Sequence, residues 1–85
     1  VFYSSVNEKN QGLASSIQSY MNEKLGTSRE IKKISNSIYM YSKLTAPGVL
    51  VECGFLSNYQ ERLLLQDKSY IQTFAKYLAE SFVSI

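Results

Sequence analysis

The sequence predicts an α/β fold, the C-terminal part of a mixed central sheet flanked by helices, and three observations carry that reading. Apolar residues recur at helical spacing in two long stretches, one in each half of the chain. Short β-branched and aromatic runs lie before and between them. One of these runs, residues 49–53, is apolar on both faces until its glutamate, the pattern of a central strand covered by layers on two sides. The resulting order is strand, helix, loop or strand, strand, helix, helix, with no internal repeat and no low-complexity linker.

Taken in order, Val1, Phe2 and Tyr3 read as the end of a strand that breaks at Ser4 and Ser5. The chain opens on Val1 inside an apolar run, which predicts that it is a piece of a longer polypeptide. From Asn7 or Glu8 the period becomes helical, with Leu13, Ile17, Tyr20, Met21 and Leu25 on one stripe over about five turns. Glu8 is expected in the first turn and Lys24 in the last, where each complements the helix dipole, and Gly26 supplies the stop. Residues 27–37 are polar, anchored only by Ile31 and Ile34, and read as a loop with one short strand.

Residues 38–41 predict a further strand, Ile38 and Met40 on one face and Tyr39 and Tyr41 on the other. Thr45-Ala46-Pro47-Gly48 punctuates the chain before the apolar strand at 49–53. Gly54 lets the chain leave that strand. Asn58 with Glu61 three residues on predicts an N-cap and its reciprocal acid, opening a short helix through Leu63, Leu64 and Leu65. Asp67 is a second N-cap, followed by a stripe of Ile71, Phe74, Ala75, Leu78 and Phe82.

Composition narrows the chemistry. The 85 residues are 45% hydrophobic and 13% aromatic, the make-up of a packed domain rather than a disordered tail. At this length about 60–65% of the unfolded surface can be buried, which allows one domain at most. There is no histidine, so neither a Ser/His/Asp nor a Cys/His catalytic group can be assembled from these residues. Cys53 is the single cysteine, which rules out an internal disulfide and a cysteine-rich zinc site. Nine Lys plus Arg against seven Asp plus Glu leave a net charge of only +2, and the cluster from Arg29 to Lys33 is interrupted by Glu30 and Ile31, so no nucleic-acid footprint is present. No apolar run approaches the ~18 residues of a membrane span, and no signal peptide is visible.

Glu52 is the outstanding candidate for chemistry. It is the one acid in an apolar strand and lies at the carboxyl end, the edge of an open α/β sheet where ligands bind. Partial desolvation there favours the neutral carboxyl and suits a general acid or base; the alternative is a structural carboxylate bonded to the following loop or to Lys or Arg. Cys53 alternates with it onto the other face and, lacking a histidine partner, reads as a small buried hydrophobe. Tyr39 and Tyr41 are able to stack on a sugar or base, but packing accounts for them and for Tyr20, Tyr70 and Tyr77 equally. Arg29 with Lys32 and Lys33 either holds an anionic ligand or forms a solvated loop.

Pro47-Gly48-Val49-Leu50-Val51-Glu52-Cys53-Gly54-Phe55-Leu56-Ser57-Asn58, with Glu61 beyond it, closely resembles a stretch of the zinc-dependent N-acetylmuramoyl-L-alanine amidases. Phe2-Tyr3-Ser4 before a helix resembles the family's segment after its last metal histidine, and Arg29 and Ile38-Tyr39 sit where related enzymes carry a loop arginine and a strand. The wording from Val51 to Asn58 is most similar to the spore-cortex, germination-associated branch.

The resemblance implies that residues 1–85 are the C-terminal half of one amidase catalytic domain, and that zinc is held by two histidines and a glutamate upstream, with no metal bound by these residues. Glu52 matches the family's catalytic carboxylate, which takes a proton from the zinc-bound water and passes it to the leaving amine. The bond cut is the amide between the lactyl group of N-acetylmuramic acid and L-alanine of the stem peptide. The implied substrate is peptidoglycan, and the implied location is outside the cytoplasm, in the cell wall or the forespore intermembrane space. No substrate-binding residue is assigned. A half-sheet with an open edge is expected to associate with its missing half, a second copy or another protein. The competing reading is a non-catalytic module whose function is that association.

Overall fold

The computed structural model describes residues 1–34, 46–55 and 57–83. Its elements are β1 (Phe2–Tyr3), α1 (Asn10–Leu25), β2 (Lys32–Lys33), β3 (Val49–Leu50), α2 (Tyr59–Gln66) and α3 (Lys68–Val83). The three strands form a mixed sheet in the order β2-β1-β3. β1 and β2 are parallel, Phe2 opposite Lys32 and Tyr3 opposite Lys33. They are joined through α1 as a crossover unit, the connection a parallel pair requires. β3 runs antiparallel to β1, with Phe2 opposite Leu50 and Tyr3 opposite Val49. The predicted strand at residues 38–41 lies outside the described residues.

Helix α1 begins later than its apolar period predicts. Asn7 folds back into a turn in which its Oδ1 accepts from the Lys9 amide at 2.9 Å and its carbonyl accepts from the Asn10 amide at 3.0 Å. That turn uses up residues 7–9, so Glu8 falls before the first turn rather than in it. Sixteen residues remain, about four and a half turns. At the other end Gly26 takes the left-handed conformation at φ 67°, which costs a residue without Cβ least, and its amide and that of Thr27 both return to the Asn22 carbonyl. Lys24 occupies the last turn as predicted.

The core is drawn mostly from α1. Ala14 and Ile17 are fully buried, Met21 nearly so, and Ile34 joins them from the residue after β2. Two polar residues share the buried face. Asn10 donates from Nδ2 to the Ser4 carbonyl at 2.9 Å and accepts from the Gly48 amide at 2.8 Å, joining the exit of β1 to the entry of β3. Gln18 donates to Asn22 Oδ1 at 3.0 Å.

The two C-terminal helices start as their capping residues predict. Asn58 Oδ1 accepts from the Glu61 amide at 3.0 Å and opens α2. Asp67 Oδ1 accepts from the amides of Ser69 at 2.9 Å and Tyr70 at 3.3 Å and opens α3. Helix α3 packs along α1, and the two are joined by the Tyr20 hydroxyl donating to Glu80 Oε2 at 2.7 Å. The predicted stripe of α3 is split by this packing. Phe74 and Leu78 are half-buried and turn inward with Tyr70 and Tyr77, whereas Ile71, Ala75 and Phe82 are exposed. The one fully buried side chain of α3 is the small Ser81, whose hydroxyl donates to the Leu78 carbonyl at 2.6 Å.

The strand at residues 49–53 departs from expectation. Among the described residues only Val49–Leu50 pairs, β3 has β1 as its one ladder neighbour, and its side chains are half-buried rather than enclosed. A two-sided apolar run is buried only when layers cover both faces, and α1 is the helix that touches β3. Among the described residues the architecture is thus an α/β unit with a small mixed sheet, three helices and a core too small to close over its apolar residues. No helix among the described residues is long and apolar enough to cross a membrane.

Two outcomes follow. Ile17→Ala should destabilise the fold by about 2–5 kcal/mol, and Val83→Ala, at a residue 88% exposed, by no more than about 0.5 kcal/mol. Urea denaturation followed by circular dichroism measures both, and equal shifts would refute a core centred on α1. The bond to Glu80, with lesser contributions from desolvation and the glutamate's charge, raises the Tyr20 pKa above its ordinary 10.0. A raised phenol pKa means that the folded state favours the neutral form, so this contribution is complete below pH 10.0 and fades as pH climbs through the raised value. Tyr20→Phe should therefore lose less stability than wild type on passing into that alkaline range, and parallel slopes would show the bond to be without effect.

Candidate functional site

The segment from β3 to α2 runs without regular structure over residues 51–55. It borders a cavity of about 500 Å³, lined by Met21, Leu25, Glu61, Leu64 and Phe74 from the helices and by Arg29, Glu52, Cys53 and Phe55 from the loops. Apolar side chains interspersed with charged groups are the lining of many small-molecule sites.

Glu52 lines this cavity, at the end of the apolar run. It is exposed, not partly desolvated as the strand pattern predicts, because the chain leaves the ladder after Leu50. Cys53 is likewise an exposed free thiol rather than a buried hydrophobe, since the alternation of faces ends with the strand. Tyr70 lines the cavity and packs on Phe74, ring centroids 6.2 Å apart and tilted by 52°. Tyr39 and Tyr41 lie outside the described residues.

Arg29 lies in the exposed loop between α1 and β2, as the solvated-loop reading expects, but its side chain is engaged. Its guanidinium Nη2 pairs with Glu61 Oε1 and lies over the Phe55 ring, 5.7 Å from the centroid. The other carboxylate oxygen of Glu61 accepts from the Phe55 amide at 3.3 Å. The reciprocal capping bond expected of Glu61 therefore goes to Phe55 and not to Asn58, whose amide is taken by the Phe55 carbonyl at 3.1 Å. Asn22 holds the Arg29 backbone on both sides, donating to its carbonyl at 2.8 Å and accepting from its amide at 3.3 Å. Sequence reasoning singles out Arg29 and Glu61 separately but not as a pair, and it misses Asn22. Thirty-two residues separate Arg29 from Glu61, and no local pattern signals contact over such a distance.

The donors needed for zinc are not assembled by these residues. The sequence contains no histidine, and among the described residues no group of three Cys, Asp or Glu side chains is placed to hold a metal ion. The arrangement offers a carboxylate lining a cavity that is also lined by an ion pair, itself tied to α1.

Comparison with known proteins bears on what such a carboxylate serves. Residues 1–83 match the family described as N-acetylmuramoyl-L-alanine amidase. The chain is similar to the germination-specific N-acetylmuramoyl-L-alanine amidase of Bacillus subtilis (strain 168), with 39% identity over 70 residues, covering 81% of this chain and 29% of that protein. It thus spans about three-tenths of the length of the curated relative it matches. No solved structure matches it. With its strand-to-helix motif around Glu52 and a match over nearly every residue, the chain belongs to the N-acetylmuramoyl-L-alanine amidase family.

Proposed function

We propose that this chain contributes the acid/base carboxylate of a peptidoglycan amidase, and that Glu52 is that group. The observation that carries the proposal is the position of Glu52, in the lining of the cavity and at the end of the run from Pro47 that resembles the family's glutamate segment. Hydrolysis of an amide requires removal of a proton from the attacking water and delivery of one to the departing amine. A single carboxylate reached from the cavity can do both in turn. The bond in question is the one between the lactyl group of N-acetylmuramic acid and L-alanine of the stem peptide.

Zinc belongs to this proposal only for the complete enzyme, since the residues described here form no ligand set for it. The part of this chain in the reaction is the carboxylate and the scaffold beneath it, and residues 1–85 alone are expected to be inactive and to bind no zinc. The remainder of the domain is then the natural partner of the open sheet. The relative's germination-specific name supports a role connected with germination, and a peptidoglycan substrate supports an extracytoplasmic location; action in spore-cortex maturation, at the cell wall or in the forespore intermembrane space, is the finer form of the proposal.

A second reading has its own support. Leu63, Leu64, Ile71 and Phe82 are each more than two-fifths exposed, a density of apolar surface that favours association. In that reading the unit is a non-catalytic module that captures a partner or a second copy.

In the full polypeptide that carries these residues, Glu52→Gln should abolish most peptidoglycan hydrolysis while leaving zinc content unchanged. Wild-type turnover by that variant rejects the role. Light scattering of residues 1–85 over a range of concentrations addresses the second reading: a stable monomer at all concentrations counts against association.

A further inference from the structure

The segment that presents Glu52 is held by side chains, not by a ladder. β3 ends at Leu50 and α2 begins at Tyr59, so residues 51–55 depend on other restraints. Three converge two to three residues beyond Glu52. Glu61 accepts from the Phe55 amide at 3.3 Å. The Arg29 guanidinium covers the Phe55 ring. Gly54 lies so close to α2 that a Cβ there would stand 3.3 Å from Leu65 Cδ1 and 3.5 Å from Glu61 Cβ. Arg29 and Glu61 are in turn bonded to each other, and the Arg29 backbone is fastened at both its carbonyl and its amide to Asn22 of α1.

We propose that Arg29 and Glu61 are positioning residues for Glu52: together they clasp residues 54–55 against α2, with Arg29 anchored to α1, and so set where the nearby carboxylate stands in the cavity. The inference rests on the assignment of Glu52 as the acid/base group. Neither residue needs to touch substrate. The Arg29 side chain is 47% exposed and that of Glu61 18%; an ion pair open to solvent on its cationic side adds little to stability, so the pair's main effect is on placement. Misplacement of a reacting group by ~1 Å costs roughly a hundredfold in rate.

The test is steady-state hydrolysis of peptidoglycan by the full polypeptide carrying Arg29→Met, Glu61→Ala, the double substitution, or Arg29→Lys. Each single change should lower kcat by about tenfold to a hundredfold, with KM within about twofold and the thermal midpoint nearly unchanged. The double variant should lose no more than the worse single one, because both act through one clasp. Arg29→Lys keeps the cation and should recover part of the loss.

Four results overturn the inference: wild-type kcat in either single variant, losses that multiply in the double, a rise in KM at constant kcat, or a lysine no better than methionine. Glu52→Gln measured alongside separates the two levels. If it is inactive while the Arg29 and Glu61 variants turn over normally, only the clasp is wrong. If it is active, the assignment of Glu52 falls.

Discussion

Two-residue strands make too few ladder bonds to hold a sheet together, and in this molecule the sheet depends on one helix lying across it. Helix α1 supplies three of the four buried apolar residues among those described, Ala14, Ile17 and Met21. It also supplies the amides that tie down the chain around it. Asn10, Ala14, Gln18 and Asn22 follow one another at intervals of four, a single row along the helix surface. Asn10 joins Ser4 to Gly48 at one end of that row, and Asn22 grips Thr27 and Arg29 at the other. Every buried side-chain nitrogen or oxygen among the described residues has a partner, so this polar row carries no penalty for desolvated, unpaired groups.

The cavity beside Glu52 inherits its form from that helix. Met21 and Leu25 line it, while the Asn22 grip on Arg29 brings a cation against Glu61 and, through Glu61, reaches the Phe55 amide. Position is thereby relayed from a well-packed element to a loop with no ladder of its own. A side chain carried on a loop needs such support to be placed precisely, because precision comes from locked neighbours rather than from the loop itself. The exposure of Glu52 leaves its environment to be set by whatever covers the cavity.

Helix α3 shows how packing chooses among apolar residues. It offers a broad apolar surface, and contact with α1 selects the side bearing Phe74, Leu78 and the small Ser81, leaving Ile71 and Phe82 toward solvent. The Tyr20–Glu80 bond fixes which side faces inward. A stripe read from spacing alone places Ile71, Phe74, Leu78 and Phe82 on one face, which is why the sequence overstates how much of α3 is buried.

Local chemistry was legible from the residues themselves. Asn58 and Asp67 as caps and Gly26 as the stop of α1 all depend on neighbours within a few positions, where backbone sterics and hydrogen bonding act directly. The helical stretches and Glu52 at the end of an apolar run were equally visible. Tertiary structure alone decided that β1 is the middle strand of the three, that Glu52 and Cys53 stand exposed, that Asn10 bridges two strands, and that Glu61 turns to Arg29 and Phe55. Those outcomes depend on which distant segments meet, and an amphipathic pattern encodes that a face is to be covered without encoding by what.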